Sequence, residues 1–208
     1  MIKPMLAYKV DKKPIDWTTK VFLQPKLDGV RCIFTKDGAY SRTGKEFKNV
    51  AHLKYDLTDF FRKNPNTVLD GELYNHALKD DFEKIISLVR KQKPTEQDAL
   101  DAQHLVQYHV YDTIAEGPDY EDRFNWLRHN LPIAKTMTLI KNTVVDSQGE
   151  AQMLHNVHLA QGYEGSILRL NKPYEQKRSY NLQKFKDFSD TEATIIGYEA
   201  GKGKFTGL

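Results

Sequence analysis

Cysteine is almost missing from this chain of 208 residues, where Cys32 stands alone. One cysteine makes no intrachain disulfide and no multi-cysteine metal site, so the sequence suits a reducing compartment. Long apolar runs are missing as well. None approaches the ~20 residues that span a bilayer, and no apolar signal-peptide region follows the N-terminus. These absences predict a soluble, intracellular protein with no membrane partner. Charge of one sign is also scarce, since 31 Lys and Arg against 28 Asp and Glu leave a net charge of +3. A lysine-rich solvated surface produces that excess, so it does not by itself select nucleic acid. With 39% hydrophobic and 28% charged residues, the chain can bury one sizeable core, or one core and the start of a second.

No internal repeat and no low-complexity linker interrupts the chain before its last stretch. Alternating and β-rich runs predict strands over 21–23, 30–34, 67–74, 105–111, 138–145 and 165–170. Apolar residues at helical spacing predict helices over 52–63, 82–90, 120–130 and 150–161, several with aspartates near the start to suit the helix dipole. The mixture predicts an α/β or α+β domain. Several strand connections are too short for a helical crossover, so the sheets should be largely antiparallel and flanked by helices. The segment 192–198 reads as one more strand, followed by a run rich in glycine and lysine with no second strand to pair it. A lone strand cannot bury its face. The expected organisation is therefore one domain over 1–189 and the beginning of another over 190–208.

The stretch that points to chemistry is Lys26-Leu27-Asp28-Gly29-Val30-Arg31. It sets a lysine where one strand breaks into a tight glycine turn and another begins. Apolar neighbours and Arg31 would both favour the neutral amine there, the form that attacks an electrophile. A lysine that attacks a nucleotide α-phosphate needs carboxylates for a divalent metal, cations for the triphosphate and a surface for the base. Asp70-Gly71-Glu72 ends an apolar strand with both carboxylates on one face. Tyr111-Asp112 sets an aromatic ring beside a carboxylate at another strand end. Glu164-Gly165-Ser166-Ile167 offers a hard oxygen ligand before an apolar strand. Lys184-Phe185-Lys186 turns two ammonium groups to one side. Each pattern alone also fits a surface turn, a core aromatic or a solvated edge strand.

Their order is more informative than any one of them. Lys-x-Asp-Gly-x-Arg, Asp-Gly-Glu, aromatic-Asp, Glu-Gly and Lys-x-Lys resemble, in sequence and approximate spacing, the covalent nucleotidyltransferases that include polynucleotide ligases and RNA capping enzymes. Within that superfamily the chain looks most like small ATP-dependent DNA ligases of viral or bacteriophage type. Ser41-Arg42-Thr43 resembles a further ligase segment, Glu164 stands where capping enzymes usually carry aspartate, and the tail from Glu192 is similar to the entry into a ligase oligonucleotide-binding (OB) domain. Only 25 residues precede Lys26, too few for the domain with which NAD-dependent ligases hold nicotinamide mononucleotide.

The resemblance implies an α+β nucleotidyltransferase domain of the ATP-grasp-like ligase type, followed by the start of a truncated OB-fold. It implies that Lys26 becomes adenylated by ATP, that AMP passes to the 5′-phosphate of nicked double-stranded DNA, and that the nick is then sealed by a monomer. Gln24 would read the base edge and Tyr111 stack on adenine. Arg31 and Arg42 would hold the ribose and phosphates, Arg42 reaching the nick as well. Glu72 would bind the ribose or help hold Mg2+, Glu164 would position Mg2+, Lys184 and Lys186 would hold the α-phosphate and leaving group, and Arg178 the 5′-phosphate of the nick. An RNA ligase or a GTP-using capping guanylyltransferase is the enzyme alternative, and a nucleic-acid-binding module without catalysis the other. Lacking the OB motif that orients pyrophosphate, the chain is expected to bind ATP yet self-adenylate weakly.

Other candidates carry less. His155 and His158 share a helical face, but no third ligand accompanies them, so they are expected in a core or on a surface rather than on zinc. Cys32 reads as a small buried residue, and Phe124 and Trp126 as core. Lys202-Gly203-Lys204 suits either DNA contact or a polar hairpin.

Overall fold

The computed structural model describes residues 2–132 and 134–185, together with residues 197 and 200. In chain order its elements are β1 (Leu6–Lys9), β2 (Val21–Lys26), β3 (Val30–Thr35), β4 (Gly38–Ser41), α1 (Ala51–Asp56), α2 (Thr58–Lys63), β5 (Leu69–Tyr74), α3 (Phe82–Val89), α4 (Glu96–Leu105), β6 (Gln107–Thr113), α5 (Tyr120–Asn130), β7 (Met137–Leu139), β8 (Thr143–Val145), α6 (Gln148–Ala160), β9 (Gly165–Leu170) and β10 (Arg178–Phe185). The strands form two five-stranded sheets of mixed direction. One runs β1-β10-β9-β2-β8 and the other β4-β3-β5-β6-β7. Antiparallel pairs dominate, as the short connections require, and each sheet ends in one parallel pair, β1 with β10 and β6 with β7.

Strand alternation gives each sheet an apolar face for helices and a second face for the space between the sheets. On the second sheet, Phe34, Leu69, Leu73 and Tyr108 pack with Leu53, Leu57, Ile85 and Leu127 in the largest core. On the first, Val21, Leu23 and Leu168 pack with Ala151 of α6 and Val145. α5 lies where the sheets meet, with Tyr120 and Phe124 against Phe22 of β2. The alternate residues of β2 and β9, among them Gln24, Ile167 and Arg169, turn instead to a cavity.

Three expectations need correction. The run 138–145 is two strands in different sheets: Met137–Leu139 pairs with β6, and Thr143–Val145 with β2. The helix over 52–63 divides at the buried Leu57 into α1 and α2. The strand expected from residue 105 begins at Gln107, because α4 occupies 96–105. β1, β4 and α4 have no counterpart among the expected elements, and of β10 only the end at Lys184–Phe185 matches a stretch whose alternation implies extended chain. Phe124 and Cys32 are buried as expected, and Trp126 packs partly buried against the main core. Lys186, the boundary at 189–190, the strand over 192–198 and Lys202–Lys204 lie outside the described residues, residues 197 and 200 excepted. No helix among the described residues is long and apolar enough to cross a membrane.

Candidate active site

Lys26 is the last residue of β2 and lies opposite Gly165, the first of β9. The Glu164 amide donates to the Lys26 carbonyl at 3.1 Å, closing the pair of strand ends. Gly165 has φ +141°, and a Cβ there would stand 2.3 Å from the Phe185 carbonyl oxygen. Only glycine fits so close an approach of two strands. At this turn the Glu164 carboxylate meets the Lys26 ammonium in an ion pair.

The second sheet brings its charges to the same cavity. Arg31 of β3 lies opposite Glu72 of β5. The Arg31 guanidinium makes a two-pronged bond to the fully buried Asp70, at 2.9 Å and 2.6 Å, and the Tyr174 hydroxyl donates to the same carboxylate at 2.7 Å. Burial works against the Arg31 charge, but Asp70, Tyr111 and Tyr174 together outweigh it and raise the guanidinium pKa. Glu72 receives the Tyr111 hydroxyl at 3.3 Å. Burial pushes Glu72 up to about 7, against the downward pull of Arg31 and Lys26. Burial likewise keeps the Tyr111 phenol protonated, so it serves as donor. Two guanidinium groups lie near its ring, Arg31 at 5.6 Å and Arg169 at 5.0 Å from the centroid.

Nine of the ten site residues read from the sequence fall within the described region. Gln24, Lys26, Arg31, Arg42, Glu72, Tyr111, Arg178 and Lys184 line one cavity of about 280 Å³, and Glu164 joins it through Lys26. Lys184 comes from β10, one residue before the Phe185 that pairs with Ser166. Arg42 is exposed, just past the end of β4. Arg178 sits at the rim and donates to the Ala7 carbonyl at 2.6 Å. Gln24 is buried and held at both amide atoms, its Nε2 donating to the Tyr120 hydroxyl at 2.8 Å and its Oε1 accepting from Arg169 at 2.7 Å. A larger hollow of about 830 Å³ between α1 and α4 contains none of the predicted residues.

Sequence reasoning missed the support beneath this cavity. Arg169 is almost wholly buried, bonded to Gln24 and, at 2.9 Å, to Asp112. Asp112 is fully buried and also takes two bonds from Arg123, at 2.8 Å and 3.0 Å. The signal was present, because a single cation in the apolar run Gly165–Leu170 and a single anion in Gln107–Thr113 each need a buried partner.

Residues 4–186 match the family described as ATP dependent DNA ligase domain. A DNA ligase of Haemophilus influenzae is 30% identical over 206 residues, covering 97% of this chain and 69% of its own length. A DNA ligase of African swine fever virus is 29% identical over 223 residues, and the chain spans about half, 51%, of that relative. Among solved structures, a Lig E DNA ligase superposes with a TM-score of 0.77 at 24% identity, over 100% of this chain and 77% of that one. The chain belongs to the ATP-dependent DNA ligase family, as its catalytic (adenylation) domain.

Proposed function

We propose that Lys26 is the nucleophile that takes AMP from ATP. One observation carries the reading: the Lys26–Glu164 ion pair opens onto a cavity with Tyr111 on one wall and the cations Arg31, Arg42 and Lys184 around it. The Lys26 amine attacks the α-phosphorus, a nitrogen–phosphorus bond forms, and the bond from that phosphorus to the bridging oxygen breaks to release pyrophosphate. The proton leaving the lysine has Glu164 within reach. Tyr111 offers a face for adenine, and the two guanidinium groups near it hold that ring in place. Gln24 lies at the base end of the cavity with its amide fixed by Arg169 and Tyr120. Arg31, Arg42 and Lys184 offset the phosphate charge, with Lys186 two residues further along the sequence.

Glu164 pairs directly with Lys26, and Lys26 in turn draws the Glu72 pKa down. No cluster of three metal-ligating side chains occurs among the described residues. Two carboxylates without a third fit magnesium, which is typically held by one or two carboxylates and the phosphates of the substrate. When bound, the ion would neutralise charge on the transferring phosphoryl group. In later steps AMP passes to the 5′-phosphate of a DNA nick, gripped by Arg178 and Arg42, and the 3′-hydroxyl displaces it. The resemblance of residues 190–208 to an OB-domain entry supports a two-domain enzyme, and the lone cysteine suits an intracellular one.

The test is covalent labelling. With α-labelled ATP and magnesium the protein should retain label through denaturation, stable to alkali and released by acid as a phosphoramidate requires, and Lys26→Ala should retain none. Undiminished label in Lys26→Ala overturns the nucleophile, and label from GTP alone overturns the nucleotide.

A further inference from the structure

Behind the strands that carry Lys26, Glu164 and Lys184, on the face turned from the cavity, sits a buried polar cluster that the reaction leaves without a role. Ser166 is fully buried, and its hydroxyl shares hydrogen bonds with His158 Nδ1 at 2.7 Å and His155 Nδ1 at 3.1 Å. Both imidazoles come from α6, 5% and 0% exposed. A hydroxyl has one proton and two acceptor lone pairs, so Ser166 can donate to one ring while accepting from the other. Burial, with His155 next, holds His158 down to about 4, so at neutral pH it acts through hydrogen bonds rather than charge.

The strand register gives the cluster its place. Pro25 of β2, Ser166 of β9 and Phe185 of β10 lie side by side across the sheet. Lys26 follows the first, Glu164 stands two residues before the second, and Lys184 precedes the third. The row is therefore the cross-section at which all three groups reach the cavity. α6 grips it twice, through the hydroxyl of Ser166 and through the His155 ring, which stacks on Phe185 at 4.0 Å with 4° between planes. Apolar side chains would fill the same space, but a directional polar network admits one register where apolar packing tolerates slip.

We infer that His155, His158 and Ser166 are positioning residues that hold Glu164 and Lys184 in place around Lys26, an assignment that rests on Lys26 as nucleophile. Misplacing reacting groups by an ångström slows chemistry without a matching loss of binding. The experiment measures single-turnover lysyl-AMP formation at saturating ATP, with ATP affinity measured separately, below the melting temperature of every protein used. Ser166→Ala and His158→Leu should slow the step by about 10-fold while the ATP Kd changes by less than about 2-fold. His158→Asn, whose amide places a polar atom near the lost Nδ1, should stay within about 3-fold of wild type. Ser166→Ala and His158→Leu labelling at the wild-type rate would overturn the inference. So would Asn performing no better than Leu, which indicates packing alone. A wild-type protein that never labels Lys26 refutes the nucleophile itself, and the clamp's purpose with it.

Discussion

Replacing Arg169 by methionine keeps most of the aliphatic stem and removes the guanidinium that ties the two sheets together under the cavity. Two bonds disappear, to Gln24 Oε1 at 2.7 Å and to Asp112 Oδ2 at 2.9 Å. The Gln24 oxygen then lies buried without that donor, and Asp112 loses one of its two arginines. Breaking a buried ion pair costs roughly 3–5 kcal/mol. Arg123 still holds Asp112 at both oxygens, and the Thr113 amide donates to it at 2.8 Å, so the low end applies. About 3 kcal/mol lowers the melting temperature of a domain this size by roughly 6–12 °C. Thermal unfolding followed by circular dichroism reads the shift directly. ATP affinity should fall in the same variant, because Tyr111 loses the guanidinium 5.0 Å from its ring. Arg169→Lys keeps the charge but not the fork, and should fall between. A drop of under about 3 °C for Arg169→Met would refute the reasoning, since it would mean that Gln24 and Asp112 find other partners at no cost.

Glu72 is raised to about 7 by burial, so its folded pKa exceeds its unfolded one. A carboxyl shifted that way contributes stability below its unfolded pKa and loses it as pH rises through the folded value. Glu72→Gln should therefore gain stability relative to wild type between pH 5 and pH 8, by about 2 kcal/mol; a difference independent of pH in thermal melts would count against the buried carboxyl. Gly165→Ala should cost at least about 2 kcal/mol through strain and the contact with Phe185, seen as a lower denaturant midpoint. It should also slow self-adenylation, and a wild-type midpoint would contradict the tight turn. Tyr111→Ala should weaken ATP binding by about 10-fold or more, as loss of one stacked base does, and calorimetry showing unchanged affinity would remove Tyr111 as the base platform.

Much of the site was legible because strand alternation is a local rule that survives folding. Asp70 bonds Arg31 while Glu72, two residues on, lies opposite it across the strands, and Lys26 at the end of one apolar run lands opposite Gly165 at the start of another. What the sequence hid depends on distant partners. β1 has four residues, Leu6–Lys9, and its partner strand begins 172 residues beyond Leu6, at Arg178. Nothing near Leu6 signals that neighbour. The 138–145 run has strand character throughout, yet local pattern does not say that its halves enter different sheets. α4 was missed because its apolar residues make no stripe, although Thr95 and Asp98 form the reciprocal cap that marks its start. Gln24 was read as a base contact, and its sequence neighbours gave no hint of the buried arginine that fixes it.

The division of strands between the sheets also sets an order of assembly. β3 to β7 are contiguous, so the second sheet can form as soon as residue 139 is available. The first sheet draws β1 and β2 from the beginning of the chain and β8 to β10 from beyond residue 142. Loop closure on that scale is slow, and a growing chain folds from its N-terminal end. Lys26 is therefore made early, well over a hundred residues before Glu164 can pair with it. The emerging polypeptide carries its nucleophile long before it has a place to hold a nucleotide, and becomes competent only when β9 and β10 close the sheet.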